Sequence, residues 1–194
     1  MSQFEIQPYL SLFHPLSDDA RKAILNVAEL KEYPAKTVLL SEGSIQKNVL
    51  YLNKGLVRGY FHMEDKEVTL WICYDPDSFG DPESFFHQVP TDLTIETLEP
   101  SQVVLIPRQS WLELFDKFPE IERASRLVSQ SNVQKLYRRI KVLNYSTPEE
   151  KYRYLLENEA QIIQRTPLKF IASYLNITPE TLSRIRAKIY QTKE

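Results

Sequence analysis

Two short helices, each opening on a Thr-Pro pair, constrain this chain more than any other feature. Residues 166–190 read TPLKFIASYLNITPETLSRIRAKIY. Thr166 and Thr178 are cap candidates, and Pro167 and Pro179 fall at the first helical position, where a missing N–H costs nothing. Leu168, Ile171 and Leu175 build one apolar stripe, and Leu182, Ile185 and Ile189 build a second. Spacings of three and four bury both stripes between the helices. Ala172 is small where the helices cross, Asn176 suits a left-handed turn residue, and Ile177 fills the gap. The pattern predicts a helix-turn-helix.

The outward face of the second helix carries Glu180, Thr181, Ser183, Arg184, Arg186 and Lys188. A helix of this kind enters the major groove of DNA by its N-terminal residues. Arg184 has the fork to read a guanine, and Glu180 accepts from a cytosine amine. Thr178 and the free N–H groups of the helix start suit a phosphate, as does Lys169 on the first helix. A helical hairpin with a solvated face accounts for any one of these features. The joint pattern points to double-stranded DNA.

Charge is divided along the chain. Residues 1–119 hold 10 basic against 18 acidic residues, and residues 120–194 hold 14 against 8. The basic part is the one able to meet phosphates. Cys73 is the single cysteine and lies in an apolar run, so a buried thiol is expected and an internal disulfide is excluded. No signal peptide and no apolar run near 18 residues is present, so a cytoplasmic protein with no membrane contact is expected.

All four glycines precede residue 81, which fits a turn-rich β region followed by helices. Ser17 caps a helix over 17–29. Strands are read at 38–40, 49–52, 56–61, 68–74, 93–97 and 103–106. Asn53-Lys54-Gly55 reads as a hairpin turn, while 64–66 and 75–77 separate other strands. Short strands with regular turns predict a jelly-roll barrel. Ser110 and Glu113 form one potential capping box, and Thr147 and Glu150 another. From 119 to 143 neither glycine nor proline interrupts, and a helix there is about 36 Å long. Its stripe of Ile121, Val128, Leu136, Ile140 and Leu143, with Asn132 inside, is read as a two-fold homodimer seam. A helix lying along its own barrel is the alternative, and the two readings are compatible on different faces.

The order of barrel, long helix and helix-turn-helix resembles the Crp/Fnr (catabolite activator protein-like) family of bacterial transcription regulators. The resemblance rests on ITPETLSRIRAKI at 177–189, Glu42-Gly43, YLNKGLVRGY at 51–60 and DSFGD at 77–81. It implies an α+β chain in three parts: an effector-type barrel at 1–118, like cyclic-nucleotide-binding domains, a dimerisation helix at 119–143, and a DNA-binding domain at 144–194 without a following wing. It also implies that Glu180 and Arg184 contact bases and that Pro179 replaces a base-contacting arginine, so the base preference is its own.

The implied effector cassette departs from the family. Gly80-Asp81 stands for the Gly-Glu pair, and Thr91-Asp92 stands where an arginine and a serine or threonine are expected. No Arg or Lys occurs between Lys66 and Arg108. A cyclic phosphate would meet Asp81, Glu83 and Asp92 without a counter-charge, which is strongly unfavourable. The pocket Gly80, Asp81, Glu83, Thr91 and Asp92 therefore suits a neutral or cationic effector of unknown identity, or none. His14, His62 and His87 show no paired-ligand spacing, so neither a metal nor another cofactor is expected. The reading is a homodimeric, non-enzymatic DNA-binding transcription regulator acting on inverted repeats. Its rivals are a ligand-sensing barrel with residual DNA binding and a cupin-like metal enzyme.

Overall fold

The computed structural model describes residue 12 and residues 15–64, 66–145 and 147–191. His14 lies outside them. Helix α1 (Asp18–Val27) opens on Ser17, whose hydroxyl accepts from Ala20 N–H. Eight strands follow: β1 (Glu29–Tyr33), β2 (Val38–Leu40), β3 (Asn48–Lys54), β4 (Leu56–Met63), β5 (Lys66–Tyr74), β6 (Asp77–Phe79), β7 (Thr94–Thr97) and β8 (Ser101–Pro107). The short helix α2 (Pro82–His87) lies between β6 and β7. Helices α3 (Arg108–Lys117) and α4 (Pro119–Leu143) lead out of the barrel. Then come α5 (Pro148–Asn158), α6 (Ala160–Arg165), α7 (Leu168–Tyr174) and α8 (Pro179–Gln191).

The strands form two four-stranded antiparallel sheets, in the orders β1-β8-β3-β6 and β2-β7-β4-β5. This is the expected jelly roll. Alternation drives it: along β3, Leu50 and Leu52 face the barrel interior with Val57, Cys73 and Val103, while Tyr51 faces outward beneath Trp111 and Ile121. Cys73 is buried, and burial pushes its thiol pKa well up.

Asn53-Lys54-Gly55 does not make a hairpin. β3 and β4 lie in different sheets, so Gly55 is a corner between them. Its φ of +123° and the 2.2 Å from an imagined Cβ to Ser101 Oγ demand glycine. Strands β1 and β6 and helices α2 and α6 were not read from the sequence.

Two cap expectations and one residue of the apolar stripe differ from the structure. The Ser110–Glu113 box does not form: α3 begins at Arg108 behind Pro107, and Glu113 accepts instead from the Gln109 amide at 3.1 Å. Thr166 closes α6, and Pro167 is the cap position of α7. Leu168 is 42% exposed rather than part of the buried stripe. The Thr147–Glu150 box does form.

The seam on α4 needs the largest correction. Ile121 is fully buried against Trp111 and Tyr51 of its own chain. Val128 is half-buried. The Asn132 amide donates to Ser78 Oγ at 3.2 Å, and Lys135 pairs with Asp77. Arg139 stacks over Tyr174 at 3.8 Å, and Val142 is buried. One face of α4 is therefore engaged with its own chain, and Ile121, which has no surface left, is not a seam residue, whereas Asn132 is exposed beside its bond to Ser78. The face carrying Leu136 and Ile140 is the exposed one, and Val133 and Tyr137 complete its ridge, with exposures of 52–71% over these four residues.

Candidate nucleic-acid interface and effector cassette

The helix-turn-helix forms as its sequence dictates. Ile171, Ala172, Leu175, Leu182, Ile185 and Ile189 are buried in one cluster with Tyr152, Leu155 and Ile162 from α5 and α6. Asn176 takes φ +53°, and Ile177 N–H donates back to Ala172 C=O at 3.0 Å. Thr178 Oγ1 accepts from Thr181 N–H at 3.2 Å, so α8 begins on its expected cap. Packing thus fixes which face of α8 is bare: Pro179, Glu180, Ser183, Arg184 and Lys188 are exposed, while Thr181 and Arg186 are half-buried. The Glu180 carboxyl is held below its usual pKa by its own N–H at the helix start and by the Thr178 hydroxyl. Lys188 is not free: its ammonium bonds Glu149 at 2.7 Å and ties α8 to α5. Lys169 is exposed, with its ammonium 4.5 Å over the Phe170 ring. Between α5 and α8 lies a cleft of about 270 Å³ edged by Thr147, Thr181 and Arg184.

The cassette is a closed knot. Asp81 and Thr91 are buried and bond each other, Thr91 Oγ1 donating to Asp81 Oδ2 at 2.6 Å. Asp81 Oδ1 caps α2 by accepting from Glu83 N–H, and Thr91 Oγ1 accepts from Leu93 N–H. Gln46 takes the space over Gly80: its Oε1 accepts from Asp81 N–H at 2.7 Å. The structure brings Gly80, Asp81 and Thr91 together, whereas Glu83 and Asp92 point to solvent. Beside Gln46 opens a cavity of about 410 Å³ bounded by Leu39, Leu50, Leu105 and Ser44. Among the described residues no group of three or more His, Cys, Asp or Glu side chains could hold a metal ion, and no helix is long and apolar enough to cross a membrane.

Residues 30–118 match the family model of the cyclic nucleotide-binding domain. Solved structures extend the likeness over the helices. FixK2 from Bradyrhizobium japonicum superposes with a TM-score of 0.75 at 19% identity, covering 86% of each chain. A protein from Eubacterium rectale assigned to the Crp/Fnr transcriptional regulators gives 0.73 at 16%, covering 95% of this chain and 88% of that one. This is the Crp/Fnr fold. Catabolite activator protein from Thermus thermophilus shares the Crp/Fnr fold at 0.57 and 16%, covering 94% and 87%. No curated protein matches the sequence significantly.

One set of polar residues was missed in the sequence. Arg58 is 2% exposed in the middle of β4, bonded to Glu96 at 2.6 Å and Glu67 at 2.5 Å. Its guanidinium lies between the rings of Tyr60, at 4.0 Å, and Phe170, at 3.7 Å. Arg165 bonds Asp75, Glu99 and the Gly55 carbonyl. A lone arginine inside LVRGYF was the available signal, because a charge amid strand residues needs a buried partner.

Proposed function

We propose that this chain is a sequence-specific DNA-binding transcription regulator, working as a homodimer on an inverted repeat in the cytoplasm, and not an enzyme. One observation carries the reading. The N-terminal face of α8 presents Glu180, Ser183 and Arg184 bare, on a helix whose other face is locked into a core. Arg184 reads a base edge, Glu180 and Ser183 flank it, and Thr178 with Lys169 meets backbone phosphates.

The dimer rests on the exposed ridge Val133, Leu136, Tyr137 and Ile140. A contiguous apolar ridge of this kind needs a cover, and a second copy along a two-fold axis supplies the same ridge. The working division is a barrel at 1–118, a dimerisation helix at 119–143 and a DNA-binding part at 144–194. Two α8 helices then enter grooves about 34 Å apart.

The effector, if one exists, is a neutral or cationic molecule rather than a cyclic nucleotide. The cassette's carboxylate and hydroxyl already satisfy each other, and the segment that carries them holds no Arg or Lys between Lys66 and Arg108. Selection of bound sequences from a random DNA pool tests the reading: an enriched two-fold symmetric site supports it, and a pool that stays random overturns it.

A further inference from the structure

The helix-turn-helix is fastened to the barrel at three points. First, β5 is an edge strand, and the Ser173 hydroxyl closes part of that edge: it accepts from Thr69 N–H at 2.9 Å and donates to Glu67 C=O at 3.0 Å. A single side chain of α7 thus does what a neighbouring strand would do. Second, Phe170 of α7 covers the buried guanidinium of Arg58, whose charge is met by Glu67 and Glu96 in the sheet. Third, Arg165 at the end of α6 spans Asp75, Glu99 and the Gly55 carbonyl, joining two barrel corners.

These contacts demand a fixed geometry. A guanidinium between two rings and a hydroxyl between one N–H and one C=O tolerate little sliding, and separation leaves Arg58 without its cover. Meanwhile α8 faces away with its reading side bare. Next to the cassette, the Lys135–Asp77 pair and the Asn132–Ser78 bond hold α4 against β6 through side chains of the chain itself.

We propose that this three-point latch holds α8 in its DNA-reading orientation in the free protein, so that operator binding needs no effector. The proposal rests on the DNA-binding reading above and goes beyond it by assigning Phe170, Ser173, Arg58 and Arg165 as positioning residues.

The test uses the full chain labelled with spin probes at Lys22→Cys and Glu157→Cys, mixed with excess unlabelled chain so that only distances within one chain are read. The native Cys73 is buried and stays unlabelled. The free protein is expected to give one narrow distance that selected operator DNA leaves unchanged, with operator binding unaffected by prior extensive dialysis. Ser173→Ala is expected to broaden the distance and lower operator affinity at least tenfold, while affinity for unrelated DNA stays within twofold. Ser173→Thr is expected to restore both. Phe170→Ala is the second variant, read only if its circular dichroism matches wild type. A distance that shifts on adding operator overturns the proposal while leaving DNA binding intact. So does a Ser173→Ala affinity equal to wild type. If no DNA sequence is enriched, the DNA-binding reading falls and the latch proposal falls with it; the narrow distance in the free protein then reports only a structural joint.

Discussion

Set the cassette beside helix α8. Both are polar, and both contain an acid, a threonine and a helix start. In the cassette, the carboxylate oxygens of Asp81 bond Glu83 N–H and the Thr91 hydroxyl, and Gln46 closes the gap over Gly80. On α8, Glu180, Ser183 and Arg184 stand in solvent. The contrast teaches that polar residues in a motif position do not make a site. Polar atoms that satisfy one another are structure, while polar atoms held in place by a core yet left bare are available to a partner.

Four experiments can break or sharpen this contrast. Asp at both Leu136 and Ile140 puts charge on the exposed ridge of α4. Light scattering is expected to show monomers, and operator affinity is expected to fall more than a hundredfold, because one half-site alone holds weakly. Arg184→Ala comes next: a loss of about 1–3 kcal/mol in operator binding and relaxed preference at one base pair per half-site, with thermal stability within about 0.5 kcal/mol of wild type. Asp81→Ala is the mirror case. Losing a helix cap and a buried hydroxyl partner is expected to cost about 1–3 kcal/mol in urea denaturation, with DNA binding of the folded fraction unchanged. If Asp81→Ala instead weakens DNA binding at full stability, the cassette is a functional site and the contrast fails. The smallest expected effect is none: millimolar cyclic AMP or cyclic GMP should leave the melting temperature unmoved, where a micromolar ligand would stabilise by about 4 kcal/mol.

Acid sharpens the third contact of the latch. At Asp75, burial acts to raise the pKa, but the hydrogen bonds from Arg165 and from Gly55 N–H outweigh it and hold the carboxyl below its usual value. Stability from a depressed carboxyl is present above its unfolded pKa and is lost as pH falls through the folded one. Asp75→Asn is therefore expected to flatten the loss of stability below about pH 4 in acid-melting curves.

Much of this was legible in the chain because local chemistry agreed with tertiary packing. Thr178, Asn176, Ala172 and the stripe from Ile171 to Ile189 all describe one motif, and each is placed as expected. Strands rich in Val, Ile and Leu were legible for the same reason. Strand β1, ELKEY, was not, because its two apolar residues, Leu30 and Tyr33, stand among three charged ones with no alternation, and its pairing with β8 is what defines it. The seam on α4 was misread for a geometric reason. Steps of four residues turn a helix by about 400°, or 40° beyond a full turn. Ile121, Val128, Asn132, Leu136 and Ile140 therefore drift from the face on the barrel to the bare one. The closed cassette was out of reach, since Gln46 lies 35 residues before Asp81 and nothing in sequence couples them. A still longer separation in sequence hid the link from Arg58 to Phe170.

The Ser173 hydroxyl on the rim of β5 has a consequence for solubility. An edge strand with open N–H and C=O groups is a template on which another chain can add a strand. Here a helix from the chain's own C-terminal half shields Glu67 and Thr69. Truncation that removes α7 would uncover that rim together with Leu56 and Ile72, which the helices keep dry. A barrel expressed alone would thus carry the adhesive border that the whole chain conceals, and the helical half serves the barrel as its chaperone.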